Sequence, residues 1–154
     1  MRWLILLLAL ALPHPSRAEG IVVMPVKFLD TSKEATDQSA AHLDRIAILT
    51  QVLTEDIGAT ALSSQDIATA CPKETPECLL AAAKAAGAQT AIFIVVHKSS
   101  SLIMQAFVQV LDVDQQHVLF KRDLNFRGDN DEAWRRAGIF MAHQFTKTPT
   151  TPAK

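Results

Sequence analysis

The residues best suited to chemistry in this chain lie in two separate polar runs. Lys98 is followed directly by three serines, and the run 127–130 reads Arg-Gly-Asp-Asn where a predicted strand gives way to a helix. If the two runs are neighbours in the fold, a cation, hydroxyls and the free amides of a helix N-terminus converge on an anion or on a partner's carboxylate. The candidate binding residues are therefore Lys98, Ser100, Arg127, Asp129 and Asn130.

The same residues also have a purely structural interpretation. Serine-rich turns are typical of hairpins, and either Asp129 or Asn130 could cap the following helix. Arg127 could form an ion pair with Asp131 or Glu132. Both interpretations are open at this level.

Cys71 and Cys78 are the two cysteines, with a short loop containing two prolines between them. In an exported chain a disulfide is the natural prediction, and closing so short a loop contributes about 2.5 kcal/mol in the chain-entropy model. A redox-active pair favours the spacing C-x-x-C at a helix start, which this pair lacks. Redox work, free thiols and pairing with a partner are the alternatives.

After residue 18, the histidines at 42, 97, 117 and 143 are scattered singly, without the H-x-x-x-H spacing typical of zinc sites. We interpret each as a surface or strand histidine and predict no metal site. A site assembled from His97 and His117 on adjacent strands is the open alternative.

Catalytic motifs are missing from the sequence. No serine lies in G-x-S-x-G or S-x-x-K, and no glycine-rich phosphate loop occurs. Trp134 is spaced with Ala137 and Met141 as a core residue rather than as a ring that faces a ligand. We therefore expect no catalytic residue, no cofactor and no enzymatic activity.

The charge composition argues against nucleic acid as a partner. The chain has 15 basic and 16 acidic residues and a formal net charge of −1. Nucleic-acid binding needs clustered excess Lys and Arg. We predict no nucleic-acid partner.

The elements that must position the candidate residues begin with a strand over 20–28, a continuous apolar run typical of a strand covered on both faces. Apolar residues at helical spacing predict a helix from about Ser39 that stops before Gly58. A short strand over 59–62 and a brief helix capped by Ser63 or Ser64 follow. Thr75, as N-cap before Pro76, then starts a helix that ends before Gly87.

The second half of the sequence predicts a meander of three strands. The stretch 90–96 is a central strand, and the turn 99–101 leads to a strand over 102–111 that alternates with period two. A further strand ends near 127, and the last helix begins around 129–131. The order β-α-β-(α)-α-β-β-β-α predicts an α/β (α+β) protein with a mixed sheet of about five strands and helices packed on it.

The N-terminus has the pattern of a secretory signal peptide over residues 1–18. Arg2 precedes an apolar run, and Ser16-Arg17-Ala18 forms a small-x-small cleavage site. The apolar run is shorter than the roughly 20 residues of a membrane-spanning helix, so we expect no transmembrane anchor after cleavage. Residues 19–146 are then a single domain and 147–154 a disordered tail.

Three strings carry a resemblance to known proteins: Phe-Leu-Asp-Thr-Ser at 28–32, Lys-Ser-Ser-Ser-Leu-Ile at 98–103 and the run 127–136 entering the last helix. Together they resemble a family of small secreted proteobacterial proteins of unknown function. Its domain is similar to the TolB N-terminal, curli-secretion and LpoB-type periplasmic modules. The resemblance implies a fold, a periplasmic location and docking onto other envelope proteins, and it implies no catalytic residues.

We therefore predict a periplasmic accessory protein that binds another cell-envelope protein. Docking would use an exposed sheet edge or the face that carries Lys98, Ser100 and Arg127. The alternative is a small-ligand or metal carrier or chaperone in the periplasm, and an enzyme of unknown reaction comes third.

Overall fold

Four helices pack against a six-stranded mixed sheet in the computed structural model, which describes residues 20–147. The strands are β1 (Ile21–Val23), β2 (Lys27–Asp30), β3 (Thr60–Ala61), β4 (Thr90–Ser100), β5 (Ile103–Asp112) and β6 (Val118–Arg127). The helices are α1 (Ser39–Ile57), α2 (Ser64–Ala70), α3 (Pro76–Ala85) and α4 (Asp131–Lys147). The predicted fold class, a mixed sheet with helices packed on it, is confirmed.

The strand order is β3-β1-β4-β5-β6, and β2 also pairs with β4. The pairs β1 with β3, β1 with β4 and β2 with β4 are parallel, whereas β4, β5 and β6 form an antiparallel meander. Strand β4 is central because it has neighbours on both sides. Strand β6 is paired on one side only, so one of its edges is free within the described part of the chain.

The predicted strand over 20–28 is wrong as a single element, and this accounts for the sixth strand. It is interrupted after Val23, and Pro25 cannot donate a ladder hydrogen bond there. Val23 pairs with Ile92 and Lys27 with Val95, so the interrupted side contains one extra residue, as in a β-bulge. An extra residue reverses the alternation of side chains across the sheet.

Two apolar clusters lie on opposite faces of the sheet. Helices α1 and α4 cover one face, where Leu49, Leu53 and Trp134 are fully buried. Helices α2 and α3 cover part of the other face through Ile67 and Leu80. Neighbouring Val22 and Val23 belong to different clusters, as the alternation of a strand requires.

Helix ends follow the predicted capping residues closely. Gly58, at φ 66°, ends α1 in the left-handed conformation that glycine tolerates best. Ser63 and Thr75 cap α2 and α3 by accepting a hydrogen bond from the backbone N–H three residues on. Cys71, at the end of α2, forms a disulfide with Cys78 in α3, as predicted.

Some boundaries differ from those predicted. Ser99 and Ser100 extend β4, and only Ser101 and Leu102 form the turn, because the β4 and β5 ladder continues across a register shift to the pair Ser100 and Ile103. Helix α4 begins at Asp131 and includes Lys147, the first residue of the predicted tail. The predicted signal peptide and the rest of the tail lie outside the described residues.

Candidate functional site

A cluster of charged side chains, buried at its centre and partly exposed at its margin, lies at one end of the sheet around Lys98. The Lys98 side chain is fully buried, and its Nζ lies 2.7 Å from Asp129 Oδ2 and 2.8 Å from Glu34 Oε2. Asp30 Oδ2 lies 3.7 Å from the same nitrogen. The ammonium group is thus the internal cation that three carboxylates surround.

Asp129 is the second centre of this cluster, and its side chain is only 3% exposed. Arg45 Nη1 donates to Asp129 Oδ1 over 2.8 Å, and Trp134 Nε1 donates to the same oxygen over 3.1 Å. His42 Nε2 lies 2.9 Å from Oδ2 and 3.4 Å from Lys98 Nζ. We call Asp30, Glu34, His42, Arg45, Lys98 and Asp129 the charge cluster.

Four parts of the chain supply the charge cluster. Asp30 and Glu34 come from β2 and the loop after it, His42 and Arg45 from α1, Lys98 from β4, and Asp129 from the turn before α4. Backbone hydrogen bonds hold these parts together, because the amide of Asp129 donates to Ser101 O over 3.0 Å and that of Thr31 donates to Lys98 O over 2.9 Å. The charge cluster therefore fastens the loop after β2 and the turn before α4 to the end of the sheet.

The charges of the cluster are mutually stabilised. Burial alone would raise the pKa of Asp129, but hydrogen bonds from Lys98, His42 and Trp134 and the attraction of Arg45 lower that pKa to about 2. Burial alone would lower the pKa of Lys98, but the hydrogen bonds to Asp129 and Glu34 outweigh it and raise that pKa. The hydrogen bond from Lys98 likewise lowers the pKa of Glu34.

The directions of these pKa shifts limit the chemistry that the charge cluster can perform. A lysine with a raised pKa is a poor nucleophile, and carboxylates with lowered pKa values are poor general acids or bases near neutral pH. In the described residues, no side-chain N or O atom that is fully buried lacks a hydrogen-bond partner. The geometry favours a structural clamp over a reactive centre.

The structure places the five predicted binding residues in different roles. Lys98 and Asp129 contact each other, so Lys98 does not face solvent as the docking hypothesis expected. Asn130 caps α4 by accepting a hydrogen bond from the amide of Ala133 over 3.0 Å, and Ser100 Oγ accepts one from the amide of Leu102 over 3.3 Å. Arg127 is exposed and has no ion pair in the described residues, whereas Arg45 pairs with Asp131.

His42 is the main residue that sequence reasoning placed wrongly. It is 6% exposed and packs against the Phe28 ring at a centroid distance of 4.4 Å, so it is not a surface histidine. The signal was its position: His42 precedes Ile46 and Leu49 at helical spacing on the buried stripe of α1. Arg45 carried no comparable signal.

The hypothetical pairing of His97 and His117 is also wrong. His97 is opposite Gln105 near the start of β5, and His117 O accepts a hydrogen bond from Asp112 at its other end. Gln105 and Asp112 are seven residues apart along β5, which corresponds to about 23 Å. Within residues 20–147 no group of three His, Cys, Asp or Glu side chains could hold a metal ion.

A groove of about 340 Å³ runs between β6 and α4, next to the free edge of the sheet. We call it the β6 groove; its lining residues are Leu124, Asn125, Phe126, Arg127, Ala133, Arg136, Ala137, Phe140 and Met141. Phe140 is 53% exposed, although it is a large apolar residue. The β6 groove thus combines an apolar surface, two arginines and an open strand edge.

A family model, described as "Protein of unknown function (DUF2380)", matches residues 19–145 of this sequence. The chain belongs to this family, DUF3280. None of the curated proteins compared with the chain matches it.

Solved structures share the fold at low sequence identity. A PelC dodecamer from Paraburkholderia phytofirmans is 11% identical, with a TM-score of 0.53, 90% of this chain and 91% of that chain covered. The LpoB C-terminal domain from Escherichia coli is 13% identical, with a TM-score of 0.50 and coverages of 73% and 85%. TolB from Acinetobacter baumannii is 17% identical, with a TM-score of 0.50, and the match spans 84% of this chain and 28% of TolB.

The likeness to TolB and LpoB modules predicted from the three strings is therefore confirmed at the level of the fold. None of the helices in residues 20–147 combines the length and apolar character of a membrane-spanning helix.

Proposed function

We propose that this protein is a periplasmic accessory module that binds another cell-envelope protein along β6. The observation that carries the proposal is the free edge of β6, ten residues long, beside the β6 groove. A free strand edge presents unpaired N–H and C=O groups that another chain can pair with.

The β6 edge suits docking better than the other end of the sheet. On the opposite side of the sheet the unpaired edges belong to β3, with two residues, and β2, with four, so each can contribute fewer main-chain hydrogen bonds than the ten-residue β6. The β6 groove adds apolar area next to the edge, where Phe140 and Phe126 can contact side chains of a partner. Main-chain pairing then supplies affinity and the groove supplies specificity.

The shape of the β6 groove also favours a chain over an enclosed small ligand. Ligand pockets bury most of their ligand and have volumes of about 300–1,000 Å³. The β6 groove is at the small end of that range and is open along β6. A carrier for a small molecule is therefore the weaker candidate.

The export part of the proposal depends on the N-terminal pattern of residues 1–18. Cell fractionation followed by intact-mass measurement tests it. We expect the protein in the periplasmic fraction with Glu19 as its first residue. Full-length protein confined to the cytoplasm would contradict export.

Chemical crosslinking and affinity purification from the native periplasm test the binding function. Wild-type protein should recover one envelope protein in stoichiometric amount, and Phe140→Glu should lose it because a charge is placed in the β6 groove. Leu43→Glu is the matched control, since Leu43 is 68% exposed on another helix. Both variants should keep the melting temperature of the wild type within about 3 °C.

The partner must then bind the wild type when both proteins are purified. Recovery of the same protein by all three forms would contradict docking at the β6 groove. Recovery of no stoichiometric protein by the wild type would contradict the binding function itself.

A further inference from the structure

We infer that the partner segment recognised at β6 is an extended, acidic stretch of a protein, in which apolar side chains alternate with Asp or Glu. This inference rests on the proposed function and adds the chemistry of the occupant. In the bound form the segment adds a strand to β6, and its apolar side chains enter the β6 groove. The alternate Asp or Glu side chains then point to the opposite face of the sheet, where Arg127 follows the inward-facing Phe126, and Arg136 on α4 adds positive charge beside the groove.

The charges around the β6 groove carry the choice of an acidic segment. Two arginines line the groove, and no carboxylate does, although the whole chain has a net charge of −1. Arg127 is exposed and has no ion pair in the described residues. Arg136 has only a 3.7 Å contact with Glu132, and both side chains are more than 60% exposed, so this pair is weak.

The other charged residues of β6 keep the charge of this strand positive. Arg122 and Lys121 add positive charge along β6, and Asp123 is the one acidic residue of that strand. Arginine binds carboxylates in a bidentate way, which suits recognition of Asp and Glu. Arg127, which has no ion pair within the described residues, and Arg136, which has only a weak one, therefore favour an acidic partner segment over a basic one.

The backbone of β6 forms part of the groove wall. Four consecutive residues, 124–127, line the β6 groove, although successive side chains of a strand point to opposite faces. The main chain of β6 therefore contributes to the groove wall, and because β6 is unpaired on one side, an added strand would lie beside that wall. An extended segment can pair with that edge and still place every second side chain in the apolar groove.

A displayed library of random linear octapeptides, selected on the purified mature protein, tests the inference directly. Enriched peptides should contain an excess of Asp and Glu that alternate with apolar residues. The double variant Arg127→Gln, Arg136→Gln should bind the most enriched peptide about tenfold more weakly. The matched control Arg135→Gln changes an exposed arginine of α4 that does not line the groove, and it should bind like the wild type.

Hydrogen exchange locates the bound peptide. We expect added protection for amides in 118–127, with no change near Leu29 and Val95, which are exposed on the opposite face of the sheet. Enrichment of neutral or basic peptides, no enrichment, equal binding by the double variant, or protection at Leu29 and Val95 would each overturn the inference. The periplasmic crosslinking result is independent, so a partner lost with Phe140→Glu but without an acidic segment would leave the proposed function standing.

Discussion

Lys98 shows how one side chain can be both a strand residue and the centre of an ionic network. It follows the buried positions Ile92, Ile94 and Val96 on the same face of β4, and the alternation therefore directs its side chain into the protein. A buried ammonium group is tolerated only when carboxylates and hydrogen bonds replace its hydration. Asp129 and Glu34 supply these at 2.7 and 2.8 Å.

Replacement of this lysine should therefore cost stability. We expect Lys98→Met to lower the free energy of unfolding by about 3 kcal/mol, because the change removes a cation from the buried Asp129 and from the partly exposed Glu34. Lys84→Met is the matched control: Lys84 also forms a 2.7 Å ion pair, but its side chain is 66% exposed, so its loss should cost less than about 1 kcal/mol. Urea denaturation measures both, and equal losses would contradict the role of Lys98.

The charge cluster should also make stability depend on pH in the acid range. The pKa of Asp129 is lowered from 3.8 to about 2. Its contribution is therefore complete above pH 4 and is lost as pH falls toward 2, in total on the order of 2 kcal/mol. We expect the difference in the free energy of unfolding between wild type and Asp129→Asn to shrink by this amount from pH 6 to pH 2.

Asp114→Asn is the control for that series, because Asp114 is a 63% exposed carboxylate in an ion pair with Lys84. The difference between wild type and Asp114→Asn should stay small at every pH. A constant difference for Asp129→Asn across the series would show that its ionisation is not coupled to folding.

The contacts of individual side chains were the part of the structure least predictable from the sequence. Contact between the runs around Lys98 and Asp129 was a condition of the docking hypothesis and not a prediction, and the structure places the two side chains 2.7 Å apart. Sequence reasoning missed Glu34 and Arg45, since a single polar residue in a loop or on a helix carries no periodic signal. It also mistook Lys98 for a surface cation, although alternation along β4 indicated the buried face.

At the scale of elements, patterns with a physical cause were predictive. Helical spacing and a glycine stop gave the exact bounds of α1, and Thr75 with Pro76 gave the start of α3. The split of the first strand was missed because an uninterrupted apolar run hides a one-residue bulge. Pro25 was the available signal, since proline is disfavoured inside a paired strand.

The disulfide joins two short helices that have a small core of their own. Cys71 is fully buried among Ile67 and Leu80, and Cys78 is partly exposed. We expect Cys78→Ser to lower the free energy of unfolding by about 2.5 kcal/mol, because it opens the short loop without leaving a cavity. Wild type measured in a reducing agent should fall by a similar amount.

Cys78→Ser measured with and without the reducing agent is the control, because it has no disulfide to lose. Its stability should be the same in both conditions. If the reducing agent leaves the wild type as stable as before while intact-mass measurement shows two free thiols, the crosslink is not a source of stability.

At the scale of the whole molecule, the sheet is covered unevenly. One face is closed by α1 and α4, and Gly138 permits their close approach because a Cβ there would lie 3.0 Å from Leu49 O. The other face is covered by α2 and α3 only in part, so that Leu29 and Ile103 are more than half exposed. One face of the sheet is thus shielded from solvent by helices, whereas the other face and the free edge of β6 are accessible to a partner.

That asymmetry predicts a gradient of local stability across the sheet. Amides of β4 between Ile92 and Val96 are buried in a strand that is paired on both sides, so they should exchange with solvent only through global unfolding. Outward-facing amides of β6 lack a second strand and should exchange faster by on the order of a hundredfold. Native-state hydrogen exchange of the isolated protein measures this gradient. Amides of β5, which is paired on both sides, serve as the internal control; if β6 were as well protected as β5 in dilute solution, its edge would already be covered, and docking there would require displacement rather than simple addition.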